Sequence, residues 1–365
     1  MNEPSFSARL LHWFDKHGRH DLPWQHPREP YRVWLAEIML QQTQVATVIP
    51  FFQRFIARFA DVRSLAQARA DEVLALWAGL GYYARARNLH SCAQLIVERY
   101  DGEFPRSIEA LTELPGIGRS TAGAILAQAF GQRHSILDGN VRRVLARHAA
   151  VAGWPGTPAV QKKLWLLSEH LLPRTSLADY TQALMDLGAT VCTTRKPACG
   201  ICPLNGDCAA RQQGTVLDYP AAKPRRPHPL KRAWMLLIEN ADGEILCERR
   251  PPTGIWGGLW CLPMLDHEQD WPGLCARHYG LHCGAAQPLP VIRHSFTHFD
   301  LDIVPLRLRV QQLVSAMRES DGRIWIKLTA PGSAPAVGLP APVRKLLESP
   351  NLLLDQLQCP EPFTA

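Results

Sequence analysis

Four cysteines, Cys192, Cys199, Cys202 and Cys208, follow one another with the spacing C-x6-C-x2-C-x5-C. No other feature constrains the fold of this chain as strongly. Four thiolates in one short loop can enclose a single metal centre and bend the backbone around it. A structural zinc and an iron–sulfur cluster both use such a set. Zinc sites more often pair two separated C-x2-C knuckles, and this string has one, so the spacing favours iron–sulfur over zinc without closing the question. Either way protein fills all four positions, which predicts a structural centre with none left open for substrate. Arg195 and Lys196 lie in the same loop and would present positive charge to a phosphate. The remaining cysteines (Cys92, Cys247, Cys261, Cys275, Cys283 and Cys359) are scattered and read as buried free thiols.

The chain has 365 residues, enough for two or three domains. Residues 1–210 read as helix after helix, with apolar residues at three- and four-residue steps. Residues 211–232 turn Pro- and Lys/Arg-rich and predict an extended basic linker. Residues 233–350 change pattern. AWMLLIE-NADG-EILCERR predicts a hairpin, HFDLDIVPLRLRV and RIWIKL predict strands, and PVRKLLES a closing helix, which together make a smaller α+β domain. Residues 351–365 form a tail. The formal net charge is +7, and its positive part lies in the front end and the linker, as a polyanion partner requires. The first twenty residues carry charges throughout, and no apolar run is long enough to span a bilayer, so a cytoplasmic protein without membrane contact is expected.

Three stretches of the helical part carry chemistry. In LPGIGRSTAGAIL, residues 114–126, a Gly-rich turn joins two helices, so a helix–hairpin–helix is expected over about 107–130. Gly116 and Gly118 would bring N–H groups and a helix N-terminus close to a phosphate oxygen; a plain corner that binds nothing is the alternative. In VWLAEIML, Glu37 is a lone carboxylate among apolar neighbours, where burial would raise its pKa and make it a general acid near neutral pH. An exposed glutamate on a helix's wet face is the other reading. Asp138 precedes GNVRRVLARH and suits either an N-cap or a fixed negative charge.

The order of these motifs resembles the endonuclease III superfamily of DNA glycosylases: a helix–hairpin–helix, an aspartate about twenty residues on, then a four-cysteine loop of this spacing. AEIMLQQTQVATVIP, LGYYARARNLH and LPGIGRSTAGAIL are similar to the MutY-type adenine DNA glycosylases, and the likeness runs over nearly the whole chain. The resemblance implies a [4Fe–4S] cluster on Cys192, Cys199, Cys202 and Cys208. It implies that Glu37 protonates N7 of a flipped adenine and that Asp138 stabilises the sugar cation, with Asn140 orienting groups or water, or acting as a second cap. Bifunctional relatives carry a lysine where this chain has Ser120. A hydroxyl cannot form their Schiff base, so a monofunctional enzyme is expected. A base inside a duplex must be flipped out. Gln42 and Tyr82 match residues that wedge into the DNA, and Trp24 and Thr43 are placed in the same pocket; ordinary core packing is the alternative for Tyr82.

The closing domain resembles the MutT-like, Nudix-type fold appended to these enzymes. DHEQDWPGLCARHYGL lacks the glutamate-rich helix that nucleotide hydrolysis needs, so the resemblance implies recognition instead. The family's Phe-Ser-His contact to 8-oxoguanine stands here as Phe296-Thr297-His298; a buried strand is the alternative. Threonine keeps a hydroxyl that can accept from N7–H and donate to O8. The expected function is excision of adenine opposite 8-oxoguanine or guanine in double-stranded DNA, by a monomer at the nucleoid. Three alternatives stand beside it: a pyrimidine glycosylase/lyase of the endonuclease III kind, a non-catalytic iron–sulfur DNA-binding protein, and a nucleotide hydrolase.

Overall fold

The computed structural model describes residues 4–224, 227–313, 322–327 and 337–348. The 351–365 tail and Cys359 lie outside the described residues. The chain forms two compact units: Met1–Ala68 with Arg85–Arg225, and Arg69–Ala84 with Arg226–Ala365.

The first unit is helical. Its core gathers Leu10 and Phe14 from the helix Phe6–His17, Val141 and Leu145 from Gly139–His148, and Ala183 and Leu184 from Leu177–Asp186. The helix Pro30–Leu40 has Pro at its first position, which suits the fixed φ of proline. It is apolar almost all round: Tyr31, Val33, Trp34, Leu35, Ala36, Ile38 and Met39 are buried. Such a helix belongs in an interior, so any carboxylate on it meets protein before water. It ends at Leu40, and the following loop carries Gln42 at φ 59. A second helix, Val45–Arg58, then resumes the run that the sequence shows as continuous.

The helix–hairpin–helix forms as expected, with a shorter first arm. Ile108–Thr112, capped by the Ser107 hydroxyl, leads through the turn into Arg119–Phe130. The two glycines differ. Gly116 sits at φ +81 and a Cβ there would meet Asn88 at 3.0 Å, so glycine is required. Gly118 has φ −90 and open space where its Cβ would point, so its backbone needs no glycine. The helix Arg119–Phe130 packs on Pro30–Leu40 and on Leu177–Asp186.

Among the described residues, the second unit is built on a nine-stranded mixed sheet. Its strands are β1 (Leu230–Glu239), β2 (Glu244–Arg249), β3 (Trp260–Cys261), β4 (Met264–Leu265), β5 (Leu281–Cys283), β6 (Gln287–Pro288), β7 (Ile292–Ser295), β8 (Asp300–Leu313) and β9 (Arg323–Lys327). β1 and β2 make the expected hairpin; the Asn240 side chain accepts from the N–H groups of Asp242 and Glu244 and so shapes the turn. β1 runs parallel to β8 from Leu230 paired with Asp300 to Glu239 paired with Arg309, and the other pairings are antiparallel. Because pairing begins at Leu230, the last residues of the basic segment are strand. Its earlier part holds the short helices Ala209–Gln212 and Val216–Asp218. The helix Trp271–Tyr279 covers one face of the sheet with Trp271, Leu274, Cys275 and Tyr279.

Residues 69–84 read as part of the helical run yet group with the sheet unit. The Tyr83 hydroxyl donates to the Leu339 carbonyl at 3.3 Å, and Arg249 pairs with Asp71 at 3.0 Å. The cysteines Cys92, Cys247, Cys261, Cys275 and Cys283 are buried and free, as expected.

Within the first unit, Gly123 lets the Arg119–Phe130 helix approach its neighbour closely: a Cβ there would lie 2.4 Å from the Ser135 carbonyl oxygen. That segment leads directly into Asp138. Gly123→Ala is predicted to cost about 1–3 kcal/mol, read as a lower midpoint in thermal denaturation of the purified protein.

Candidate functional site

One cleft of about 990 Å3 in the helical unit is lined by Trp24, Glu37, Gln42, Thr43, Ser120, Asp138 and Asn140. Each of these was singled out in the sequence, and they come from four separate stretches of chain. Arg19, Arg142, Arg143 and Gln182 line it too.

Glu37 faces this cleft from the apolar helix. Burial first, and the charge of Asp138 second, push its pKa up to about 7, while a hydrogen bond from Gln128 pulls it down. Asp138 caps the helix Gly139–His148: its Oδ1 accepts from the Val141 N–H at 2.7 Å, and its Oδ2 from Asn140 Nδ2 at 3.4 Å. So the capping reading holds for Asp138, and the same side chain also opens into the cleft. Burial raises its pKa as well, but the Val141 N–H and the charges of Arg143 and Arg142 oppose that rise. The two carboxyls therefore divide. Asp138 has donors and cations to hold its charge. Glu37 has one amide, and with its pKa pushed up to about 7 a substantial share of it is protonated at neutral pH.

Ser120 has a structural duty beside its place in the cleft: its Oγ accepts from the Leu137 N–H at 2.9 Å and ties the helix–hairpin–helix to the residue before Asp138. The loop holding Gln42 and Thr43 is fixed by Arg85. This buried guanidinium donates to the carbonyls of Ile38 at 3.1 Å and Met39 at 2.7 Å, and to Thr43 Oγ1 at 3.0 Å. It thereby satisfies carbonyls left open at the end of the Glu37 helix. Gln41 Nε2 donates to the Gly116 carbonyl at 3.3 Å, which joins that loop to the hairpin turn. Trp24 is buried and packs edge-on against Phe52. Tyr82 belongs to the other unit; it sits at φ 50 and is 47% exposed, so it is no core aromatic.

Four cysteines and two arginines form a second constellation. Cys192, Cys199, Cys202 and Cys208 line one cavity. Arg147 and Arg211 line the same cavity, so four thiols and cationic side chains enclose one space, as a thiolate-held centre needs. Burial and the neighbouring cysteines push the Cys202 thiol up to about 11, which a bound cationic centre would reverse. Arg147 is buried and donates to the carbonyls of Thr193 at 2.7 Å and Thr194 at 3.0 Å, and to the Cys192 sulfur at 3.3 Å. Arg143 donates to the Cys192 carbonyl at 2.7 Å, to Gly188 O at 2.7 Å and to Asn140 Oδ1 at 2.8 Å. The cysteine loop and the Asp138 helix are thus bolted together. Arg195 and Lys196 are exposed on that loop.

In the sheet unit, Phe296-Thr297-His298 occupy the turn between β7 and β8, closed by Phe296 N–H to Phe299 O at 2.9 Å. Phe296 stacks on Phe299 and touches Trp256 and His294, while Thr297 and His298 are exposed. The motif is a presented turn and no buried strand. The helix Trp271–Tyr279 carries no carboxylate, which leaves no set of metal-holding glutamates there.

Sequence reasoning passed over Gln128 and Gln182. Both are lone amides in apolar helical runs, ILAQAF and YTQALM, the same signal that Glu37 gives. Gln182 Nε2 donates to Asp186 Oδ1 at 2.7 Å, and its Oε1 has no partner among the described residues.

Profiles of known families match both the helical and the sheet-bearing stretches of the chain. The profile of the HhH-GPD superfamily of base excision DNA repair proteins matches residues 35–170. The iron–sulfur binding domain of endonuclease III matches 192–208, and the NUDIX domain matches 234–349. The adenine DNA glycosylase of Buchnera aphidicola (subspecies Acyrthosiphon pisum) is 37% identical over 96% of this chain and 98% of its own. The chain belongs to the adenine DNA glycosylase family. The human adenine DNA glycosylase is 32% identical, covering 88% of this chain and 70% of its own. Among solved structures, a thermostable thymine-DNA glycosylase superposes with a TM-score of 0.51 at 28% identity, over 57% of this chain and 95% of that one. This glycosylase is therefore a base excision repair enzyme that acts on DNA, and its cysteine loop is a [4Fe–4S] site. No helix among its described residues is long and apolar enough to cross a membrane.

Replacing Arg147 by Met would strand several part-buried loop carbonyls. It is predicted to destabilise the loop by roughly 2–4 kcal/mol and to speed loss of the cluster's visible absorption when a chelator is added.

Proposed function

We propose that this glycosylase excises adenine mispaired with 8-oxoguanine or guanine, as a monofunctional monomer in the cytoplasm. The observation that carries the reading is the pair Glu37 and Asp138 facing one cleft, with Glu37 held near neutral pKa. A flipped adenine enters the cleft. Glu37 gives its proton to N7, and the C1′–N9 electron pair leaves with neutral adenine. Asp138 stabilises the sugar cation, and water adds to C1′ and releases a proton. The sum is hydrolysis of one glycosidic bond. The free Oε1 of Gln182 suits an exocyclic amino group, which adenine has. Trp24 and Thr43 line the base pocket, and Asn140 steadies Asp138.

Ser120 cannot form an imine, and its oxygen is already engaged by Leu137. The abasic site is therefore left uncut. Gln42 and Tyr82 prop the vacated stack. Gly116 and Gly118 hold a phosphate of the backbone, a contact that positions without reading sequence. Phe296, Thr297 and His298 read 8-oxoguanine, with the Thr297 hydroxyl exposed to the lesion. Two modules on one chain raise each other's effective concentration on a shared duplex.

The test uses an end-labelled duplex with one adenine opposite 8-oxoguanine, beside one with adenine opposite thymine, with and without hot alkali. The expected result is a break only after alkali and only opposite 8-oxoguanine. A break without alkali would contradict the Ser120 argument. Glu37→Gln is expected to slow excision by about 100- to 10,000-fold while duplex binding persists. In the wild-type enzyme the acid works protonated, so single-turnover excision should be fastest below pH 7 and fall as the pH rises through about 7.

A further inference from the structure

Gln128 stands behind Glu37. It lies on the helix Arg119–Phe130, is 5% exposed and does not line the cleft. Its Nε2 donates to Glu37 Oε1 at 3.0 Å. We propose that Gln128 is a positioning residue that fixes the proton of Glu37 on the oxygen left for the base. The proposal rests on the reading of Glu37 as the general acid.

The argument is one of donors and acceptors. A protonated carboxyl has one O–H and can carry it on either oxygen. An amide N–H aimed at Oε1 is accepted better by a carbonyl oxygen than by a hydroxyl oxygen, so it favours the tautomer whose proton is on the other oxygen. The proton is then held on Oε2, the oxygen Gln128 does not touch. Oε1 faces the protein and Oε2 is left for N7 of the base. The same N–H serves after transfer, when Glu37 is a carboxylate in surroundings that otherwise penalise charge. Asp138 is the charged group whose field Glu37 feels, and it is negative; its own counter-charges are Arg142 and Arg143. Gln128 therefore favours the anion of Glu37 directly, by a hydrogen bond.

An amide turned the other way would do the opposite. Its carbonyl oxygen would accept the acid's proton on the protein side and hold it away from the base. Removing the side chain would then free the acid.

The experiment compares single-turnover excision against pH for wild type and Gln128→Met, which keeps length and packing and removes the donor. Gln128→Leu takes its place if the methionine variant does not fold. Duplex binding of each confirms a folded protein. The expected result is an alkaline limb moved to higher pH by roughly one unit, because the anion has lost its donor, with a plateau rate about tenfold lower. A limb that coincides with wild type, with the rate reduced by one constant factor at every pH, would mean packing alone and would overturn the proposal. A limb moved to lower pH, with a faster plateau, would mean the reversed amide and would overturn it too. A wild-type profile without an alkaline limb, or an active Glu37→Gln, would instead overturn the acid assignment itself.

Discussion

The burial of the Glu37 carboxyl beside Asp138 is the constraint around which the helical unit is arranged. Two neighbouring carboxyls that are largely withdrawn from water cannot both ionise at ordinary cost. The fold resolves this by unequal support. Asp138 caps a helix, takes the Val141 N–H and sits in the field of two arginines. Glu37 rides on a helix whose other residues are mostly apolar and buried, and receives one amide. An acid and a fixed anion result from one kind of side chain in two surroundings. Cleavage of a glycosidic bond calls for both, because the base takes the bonding electron pair and leaves neutral only if it has gained a proton, while positive charge develops on the sugar.

That arrangement holds only if the segments carrying the two groups are rigid. Arg85 seals the end of the Glu37 helix, and Ser120 anchors the approach to Asp138. Behind Asp138, the π-helical turn Leu187–Val191 brings Gly188 against Asn140, where a Cβ would lie 2.6 Å from the Asn140 Cβ. Arg143 closes the contact from Asn140 to Gly188 and Cys192. The cysteine loop is thus a brace for the helix that begins at Asp138. A cluster with every position filled by protein suits a brace, since it lends rigidity without offering a reactive face.

Much of this was legible in the sequence because it depends on local pattern. A lone carboxylate in VWLAEIML signals a costly burial, and four cysteines in one loop signal a shared centre. The hairpin turn is marked by Gly116, whose positive φ and crowding by Asn88 leave no other choice. Gly118 looks equivalent in LPGIG and is not, since periodicity cannot reveal its ordinary φ. Gln128 and Gln182 give the same lone-polar signal as Glu37, but a neutral amide gains meaning only when its partner is known. Arg143 and Arg147 bind carbonyls that the cysteine loop delivers from about fifty residues away. The helix Ala70–Trp77 shows the same limit: its apolar spacing predicts a helix, not which core receives it.

The central claim is that the Glu37 carboxyl titrates near neutrality because it is buried beside Asp138. Carbon-13 NMR titration of the glutamate side-chain carboxyls measures this directly, with Glu37→Gln assigning the signal. The account predicts a Glu37 midpoint near 7 that moves down in Asp138→Asn, where the neighbouring charge is gone. A midpoint in the ordinary carboxylate range, unmoved by Asp138→Asn, would contradict it.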